Sequence, residues 1–244
     1  VHTPLIARKD LTQKYQAHKK KRGMEAKWGQ EHNRKERLVQ EHAVYGGMVE
    51  AMVMAVGKVL DGLKKLKLEE NTVVFFMSDN GGLSTSEGHP TSNLPLRGGK
   101  GWMYEGGIRE PYLISWPGVT KPCSLSTEPV ISTDFYPTLL EIAGLNAKPK
   151  QHLDGVSLVP VLQDPNARVR DHAFHAYPRR SKLGRAIRTQ RYRLVQWKNH
   201  SDPTAEVDYE LYDYQADPWE TQNHHAAKPG VAVKLKAILA RYAV

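Results

Sequence analysis

The spacing of apolar positions changes along the chain, and each change predicts a different element. From Tyr45 to Leu66 apolar side chains recur at Tyr45, Met48, Val49, Met52, Val56, Val59, Leu60, Leu63 and Leu66. That is the spacing of a helix with one buried stripe. Gly46 and Gly47 weaken its start, and its methionines read as core filling. After the polar break Glu69-Glu70-Asn71 comes a continuous run, Val73-Val74-Phe75-Phe76-Met77, which suits a strand covered on both faces, as in a parallel sheet. It stops at Ser78-Asp79-Asn80-Gly81-Gly82. A second run, Tyr112-Leu113-Ile114-Ser115-Trp116, closes with Pro117-Gly118 and predicts another strand. A helix is then expected from a Thr133/Asp134 cap, through Pro137, to a stop at Gly144.

Beyond about residue 165 the runs shorten to Ala173–Tyr177, Arg185–Arg188, Tyr192–Trp197 and Tyr209–Tyr212, which predicts a small antiparallel sheet. Val231, Leu235, Leu239 and Tyr242 share one helical face, so a final helix is expected to pack on that sheet. The predicted class is α/β. Residues 1–165 supply part of a mostly parallel sheet flanked by helices, and residues 166–244 form a C-terminal α+β subdomain.

Composition adds limits. With 244 residues, 40% of them hydrophobic, the chain can bury a sizeable core. No apolar run approaches the roughly 20 residues that a spanning helix needs, so nothing in the chain is expected to cross or anchor in a membrane. The first residue is Val1, and the natural start is expected to have been lost. Cys123 is the only cysteine, which excludes an internal disulfide and a cysteine-rich zinc cluster. It is expected to be an ordinary, partly buried thiol. The net charge of +9 is local: residues 8–37 hold eleven Lys/Arg against four Asp/Glu. The stretch Lys19-Lys20-Lys21-Arg22 would attract polyanions.

Three segments carry candidate chemistry. Asp79-Asn80 ends a predicted strand, the edge at which open α/β sheets place their sites. A carboxylate beside an amide carbonyl offers hard oxygen donors for calcium or magnesium, although Asp-Asn-Gly by itself is an ordinary turn. In Leu96-Arg97-Gly98-Gly99-Lys100-Gly101-Trp102, glycines on both sides of Lys100 let backbone and ammonium approach an anion. It is not a nucleotide-binding loop: Gly101 follows the lysine where Ser or Thr is required, and Leu94 stands at the upstream glycine position. His2, beside Thr3-Pro4, is a candidate anion ligand or general acid.

Together these segments resemble the sulfatase family of the alkaline phosphatase superfamily. The matches run in family order through His2-Thr3-Pro4-Leu5, the Tyr45–Leu60 helix, Ser78-Asp79-Asn80-Gly81-Gly82 and the Leu96–Pro111 segment. They continue through Thr133-Asp134-Phe135-Tyr136-Pro137, Leu153-Asp154-Gly155-Val156-Ser157-Leu158, Ala186-Ile187-Arg188-Thr189, Glu210-Leu211-Tyr212-Asp213 and Asp217-Pro218-Trp219-Glu220. The resemblance implies an alkaline-phosphatase-like fold and sulfate-ester hydrolysis. It implies that Asp79 and Asn80 are calcium ligands, with magnesium the second candidate, and that Lys100 and His2 contact sulfate. The family nucleophile is a formylglycine made from cysteine in a Cys-x-Pro/Ala-x-Arg motif. Leu125 and Thr127 stand in place of its Pro/Ala and Arg here, so Cys123 should not be converted. The nucleophile is therefore expected on a missing N-terminal segment, and this fragment should be inactive alone.

The expected partners are a sulfate-ester substrate, which the basic stretch allows to be a sulfated polysaccharide, and that missing segment; nucleic acid is not expected. His175, Arg179, Arg180 and Arg185 are candidates for lining a saccharide pocket. A periplasmic or secreted location follows from the resemblance alone. Two other readings stay open: a phosphate- or phosphonate-ester hydrolase of the same superfamily, and a non-catalytic polyanion-binding module built on residues 8–37.

Overall fold

The computed structural model describes residues 1–151, 154–179, 181–202 and 204–242. The chain forms two compact units, one of residues 1–73 and 80–111 and the other of residues 74–79 and 112–244.

The first unit opens with helix α1 (Lys9–Lys21) and a hairpin of β1 (Trp28–Glu31) and β2 (Arg34–Arg37). The hairpin was not legible in the sequence, because Trp28-Gly29-Gln30-Glu31 and Arg34-Lys35-Glu36-Arg37 lack the apolar alternation of a half-buried strand. Helix α2 spans Ala43–Lys65, and the His42 ring at its N-terminus accepts from the Tyr45 amide at 3.3 Å. Gly46 and Gly47 lie inside α2 and let α1 approach. A Cβ on Gly46 would sit 2.9 Å from the Tyr15 ring, and one on Gly47 would sit 3.1 Å from Ala7 Cβ. The unit ends with the long loop that follows Asn80 and the short helix α3 (Glu105–Ile108).

The single buried stripe expected of α2 is not found. Gly47 is its one fully buried residue, while Val53, Met54, Val59 and Leu60 are exposed. An 18-residue window of α2 has a mean hydropathy of 1.4, so the helix is long and apolar enough to cross a membrane by length and composition. This corrects the expectation that no segment reaches that threshold. The apolar residues are spread around α2 in addition to the predicted stripe, so it is their sum over the helix, rather than an uninterrupted run, that meets the criterion.

In the second unit β3 (Val74–Met77) pairs with β4 (Tyr112–Ser115) in antiparallel register, Phe75 opposite Ile114 and Met77 opposite Tyr112. Among the described residues all strand pairs are antiparallel, so the parallel pairing expected of the Val73–Met77 run is absent here. A short apolar run reports burial, and burial does not distinguish the two ladder types. The Phe75 ring meets the edge of Phe135 at 5.0 Å. Phe135 starts α4 (Phe135–Ile142), and Gly144, at φ 66°, follows it. Helix α5 spans Val159–Gln163.

The C-terminal sheet follows the prediction closely. Strands β5 (Ala173–Arg179), β6 (Lys182–Arg188), β7 (Tyr192–Asn199) and β8 (Asp208–Asp213) form an antiparallel meander in that order. Helix α6 (Pro229–Leu239) lays Ala232, Leu235 and Leu239 on Ile187, Leu194 and Leu211, a core in which every member is buried. Truncating a buried leucine in such a core costs about 2–5 kcal/mol. Leu235→Ala is therefore expected to lower the stability of this unit by that amount, as read from urea unfolding; a change below about 0.5 kcal/mol would contradict this packing.

Candidate active site

The loop after β3 is a knot of backbone around glycines. A Cβ on Gly81 would lie 2.0 Å from the Gly106 carbonyl oxygen, and one on Gly99 would lie 2.5 Å from Ser84 Oγ; neither position admits a side chain. The Asn93 amide nitrogen gathers the surrounding carbonyls, lying 3.1 Å from Gly82 O and 3.0 Å from both Gly98 O and Gly106 O. The Gly81 amide donates to Gly107 O at 2.9 Å, and the Lys100 amide to Gly82 O at 3.0 Å. The backbone that carries Lys100 is thereby fixed on several sides.

Side chains brace the same loop. Arg97 forks onto Glu31 of β1, Nε to Oε2 at 3.0 Å and Nη2 to Oε1 at 2.9 Å. Its guanidinium also stacks 4.0 Å above the Tyr104 ring. Trp102 Nε1 donates to Thr85 Oγ1 at 3.0 Å, and His32 stacks on Trp102 while its Nε2 meets Tyr104 OH at 2.7 Å. The unpredicted hairpin thus serves as a wall behind the lysine loop.

Lys100 and His2, ninety-eight positions apart in sequence, are brought together: Lys100 Nζ lies 2.8 Å from His2 Nε2. A third residue joins them. Glu87 contacts Lys100 Nζ through Oε1 at 2.9 Å, and His2 Nε2 through Oε2 at 3.1 Å. Lys100 holds the Glu87 carboxyl below the ordinary range, with help from Thr3 and His2. Sequence reasoning did not select Glu87; its one local signal is an acidic residue beside a glycine, Ser86-Glu87-Gly88, which is common in turns.

Asp79 follows β3 and is exposed, and Asn80 is half-buried. They offer adjacent carboxylate and amide oxygens, chemically suited to a hard divalent cation but two of the roughly six to eight that calcium takes. Among the described residues no cluster of three or more His, Cys, Asp or Glu could hold a metal.

Other sequence candidates take structural roles. Arg185 Nη2 donates to the Leu239 and Tyr242 carbonyls, each at 2.6 Å, so it closes the C-terminus of α6 instead of lining a pocket. His175 is half-buried on β5; Arg179 ends that strand. Arg180 lies outside the described residues, as does Leu153. Cys123 is exposed, which corrects the partly buried thiol, since its segment forms a surface turn with φ 58°. Asp134 is fully buried; it accepts from the Ile131 and Val156 amides at 2.8 and 3.0 Å and pairs with Arg170. Desolvation raises its carboxyl. The Thr133-Asp134 and Asp154-Gly155-Val156 motifs are thus two halves of one structural junction.

The first unit thus sets a lysine–histidine pair, two groups able to meet an oxyanion, on glycine-rich backbone. The comparisons make the class specific. Residues 1–145 match the Sulfatase family and residues 99–242 match the family described as N-sulphoglucosamine sulphohydrolase, C-terminal. The chain belongs to the sulfatase family, with its alkaline-phosphatase-like fold. It is similar to a sulfatase of Formosa agariphila, 35% identical over 251 residues, covering 94% of this chain and 41% of that protein. Among solved structures, Ps i-CgsB in complex with k-i-k-neocarrahexaose superposes with a TM-score of 0.77 at 26% identity, covering 98% of this chain and 47% of that one. BT4656 in complex with its substrate D-glucosamine-2-N,6-O-disulfate superposes at 0.67, also at 26% identity, covering 83% and 40%. The chain spans less than half the length of each of these relatives.

One buried acid in the wall gives a test of the geometry. Glu36 Oε1 has no hydrogen-bond partner among the described residues, and desolvation, then the neighbouring Glu31, pushes its carboxyl up from 4.5 to about 7. Between those two values the unfolded chain has released this proton and the folded chain has kept it. Its contribution to stability therefore falls as pH rises through that window and is flat above it. Glu36→Gln is expected to raise the melting temperature relative to wild type at pH 8 and to leave it nearly unchanged at pH 4.5; a variant less stable at pH 8 would contradict the burial of a charged carboxylate here.

Proposed function

We propose that this chain is part of a sulfatase that hydrolyses sulfate esters of a saccharide, and that it supplies two sulfate contacts and part of the metal site. The observation that carries the reading is the approach of His2 and Lys100 on a loop that glycines and Asn93 hold rigid. An ammonium and an imidazole side by side can hold two oxygens of one sulfate, neutralise charge as the ester S–O bond breaks, and pass a proton to the leaving alkoxide. Asp79 and Asn80 would hold part of a calcium site, with magnesium the second candidate, and a cation bound there would add Lewis-acid stabilisation of sulfate oxygens. The nucleophile, a formylglycine, would come from a segment N-terminal to these residues, and this chain alone would not turn over substrate. The saccharide substrate is supported by the sugars named with Ps i-CgsB and BT4656. A periplasmic or secreted location rests on the family alone.

The polyanion-binding alternative is weakened by internal pairing in the basic stretch. Lys14 reaches Glu50 at 2.7 Å and Lys19 reaches Glu41 at 2.6 Å, and Arg8 and Arg37 pair with Asp10 and Glu41.

In the intact protein Lys100→Ala is expected to lower kcat/KM on an aryl sulfate by about 10²–10³, the effect of removing one preorganised donor from a developing charge. Neutralising Lys20, Lys21 and Arg22 should leave it unchanged. Full activity of Lys100→Ala, or faster turnover of the matched phosphate ester than of the sulfate by wild type, would overturn the reading. Chelation of divalent cations should abolish turnover and added calcium restore it. Asp79→Asn should raise the calcium concentration needed for half-recovery at least tenfold, since a neutral amide replaces a charged ligand.

A further inference from the structure

Glu87 contacts every polar group of the His2–Lys100 pair that the sulfatase reading requires. Its Oε2 accepts from Thr3 Oγ1 at 3.2 Å and lies 3.1 Å from His2 Nε2, while its Oε1 lies 2.9 Å from Lys100 Nζ. His2 Nδ1 lies 2.8 Å from the Thr3 carbonyl oxygen. That oxygen can only accept, and with the Thr3 hydroxyl, 3.3 Å from the same nitrogen, donating to Glu87, this pattern assigns the proton to Nδ1. Nε2 then has two alternatives. In the neutral ring it accepts from Lys100 at 2.8 Å; in the imidazolium it donates to Glu87. The two contacts exclude each other at one nitrogen, and Glu87 is the group that stabilises the second. Among the described residues the charged side chains in contact with His2 are Glu87 and Lys100, with the Val1 ammonium one residue away, and those acting on Glu87 are Lys100 and His2.

The backbone that presents Glu87 is held in a costly conformation. Glu87, Gly88 and His89 have φ values of 50°, 88° and 52° in succession, and two of the three carry a Cβ that disfavours this region. Strained turns of this kind persist where the surroundings over-determine them and cluster at functional sites.

We infer that Glu87 is a positioning residue, which holds the Lys100 ammonium and the His2 ring side by side and stabilises the ring when it carries a second proton. This inference rests on the sulfatase reading for its consequence in turnover. A carboxylate behind two donors keeps them together before sulfate arrives, so that ordering them is not charged against substrate binding. The opposite role, a resident anion occupying the place of the sulfate, would use the same contacts and predicts the opposite sign.

The experiment compares Glu87→Gln and Glu87→Asp with wild type in the intact protein, measuring kcat and KM on an aryl sulfate across pH and inhibition by inorganic sulfate. Glu87→Gln is expected to lower kcat by on the order of tenfold to a hundredfold and to weaken inhibition by inorganic sulfate. The basic limb of its pH profile should move to lower pH, because the imidazolium has lost its carboxylate and gives up its proton more readily; Glu87→Asp should recover most of each effect. Tighter binding of sulfate by Glu87→Gln, or a profile and kcat equal to wild type, would overturn the inference.

A second readout needs no turnover. Nitrogen NMR of the ¹⁵N-histidine-labelled chain should show the Nδ1–H form of His2 in wild type at neutral pH, and a His2 titration displaced to lower pH in Glu87→Gln while the other histidine signals stay in place. Coincident His2 titrations would overturn the role of Glu87. If wild type turns over no sulfate ester yet the His2 signals still depend on Glu87, the sulfatase reading has failed and the positioning role has not.

Discussion

Backbone carbonyls and amides in the first unit approach one another so closely that side chains are excluded at the contacts, and much of the site depends on this. Gly81, Gly82, Gly99 and Gly106 each have a neighbouring heavy atom within 2.5 Å of where a Cβ would stand. Chain segments packed this tightly would leave unsatisfied carbonyls if they only met. The Asn93 amide satisfies several of them, and amides of the loop itself satisfy others. A lysine carried on such a loop has its Cα fixed, leaving only its side chain to be oriented.

The second level of organisation is electrostatic. Glu31 with Arg97, Asp134 with Arg170 and Asp213 with Arg191 are carboxylates buried almost completely and matched to arginines. Each joins segments distant in sequence: a hairpin to the lysine loop, an α4 cap to the chain before β5, and β8 to the turn before β7. Asp213 also takes Lys228 at 3.1 Å, and the fork from Arg191, together with that lysine, holds its carboxyl far below the ordinary range. Buried pairs of this kind are costly when broken, which suits them to fixing relative positions. The exposed pairs of α1 do less, since solvent screens them.

Glu87, His2 and Lys100 belong to neither level. They are partly exposed and presented by a strained turn, and a fixed framework surrounds them. On the proposed reading these groups receive an oxyanion, and a group with that task cannot have all its contacts satisfied by protein alone. The framework accordingly immobilises the backbone of Lys100 and leaves its ammonium to a carboxylate and an imidazole.

Period and composition by themselves determined the presence of the helix of residues 43–65, though not its burial, and the α/β class; they also determined the four-stranded C-terminal sheet with its covering helix, where one-faced burial repeats at the period of the element that produces it. Motif order determined the family. Tertiary structure alone decided the rest. The β1–β2 hairpin carries no apolar alternation, because its partners are Arg97, Trp102 and Tyr104 and its contacts are charged and aromatic. The β3–β4 pairing is antiparallel, which an apolar run does not specify. Arg185 became a cap and Asp134 a junction because their partners lie tens of residues away, at Tyr242 and Arg170. Glu87 acquired its place because a turn of positive φ brings its carboxylate to two donors, one at each end of the first unit's sequence. Local sequence records which face is buried; it holds no record of which distant group will be met there.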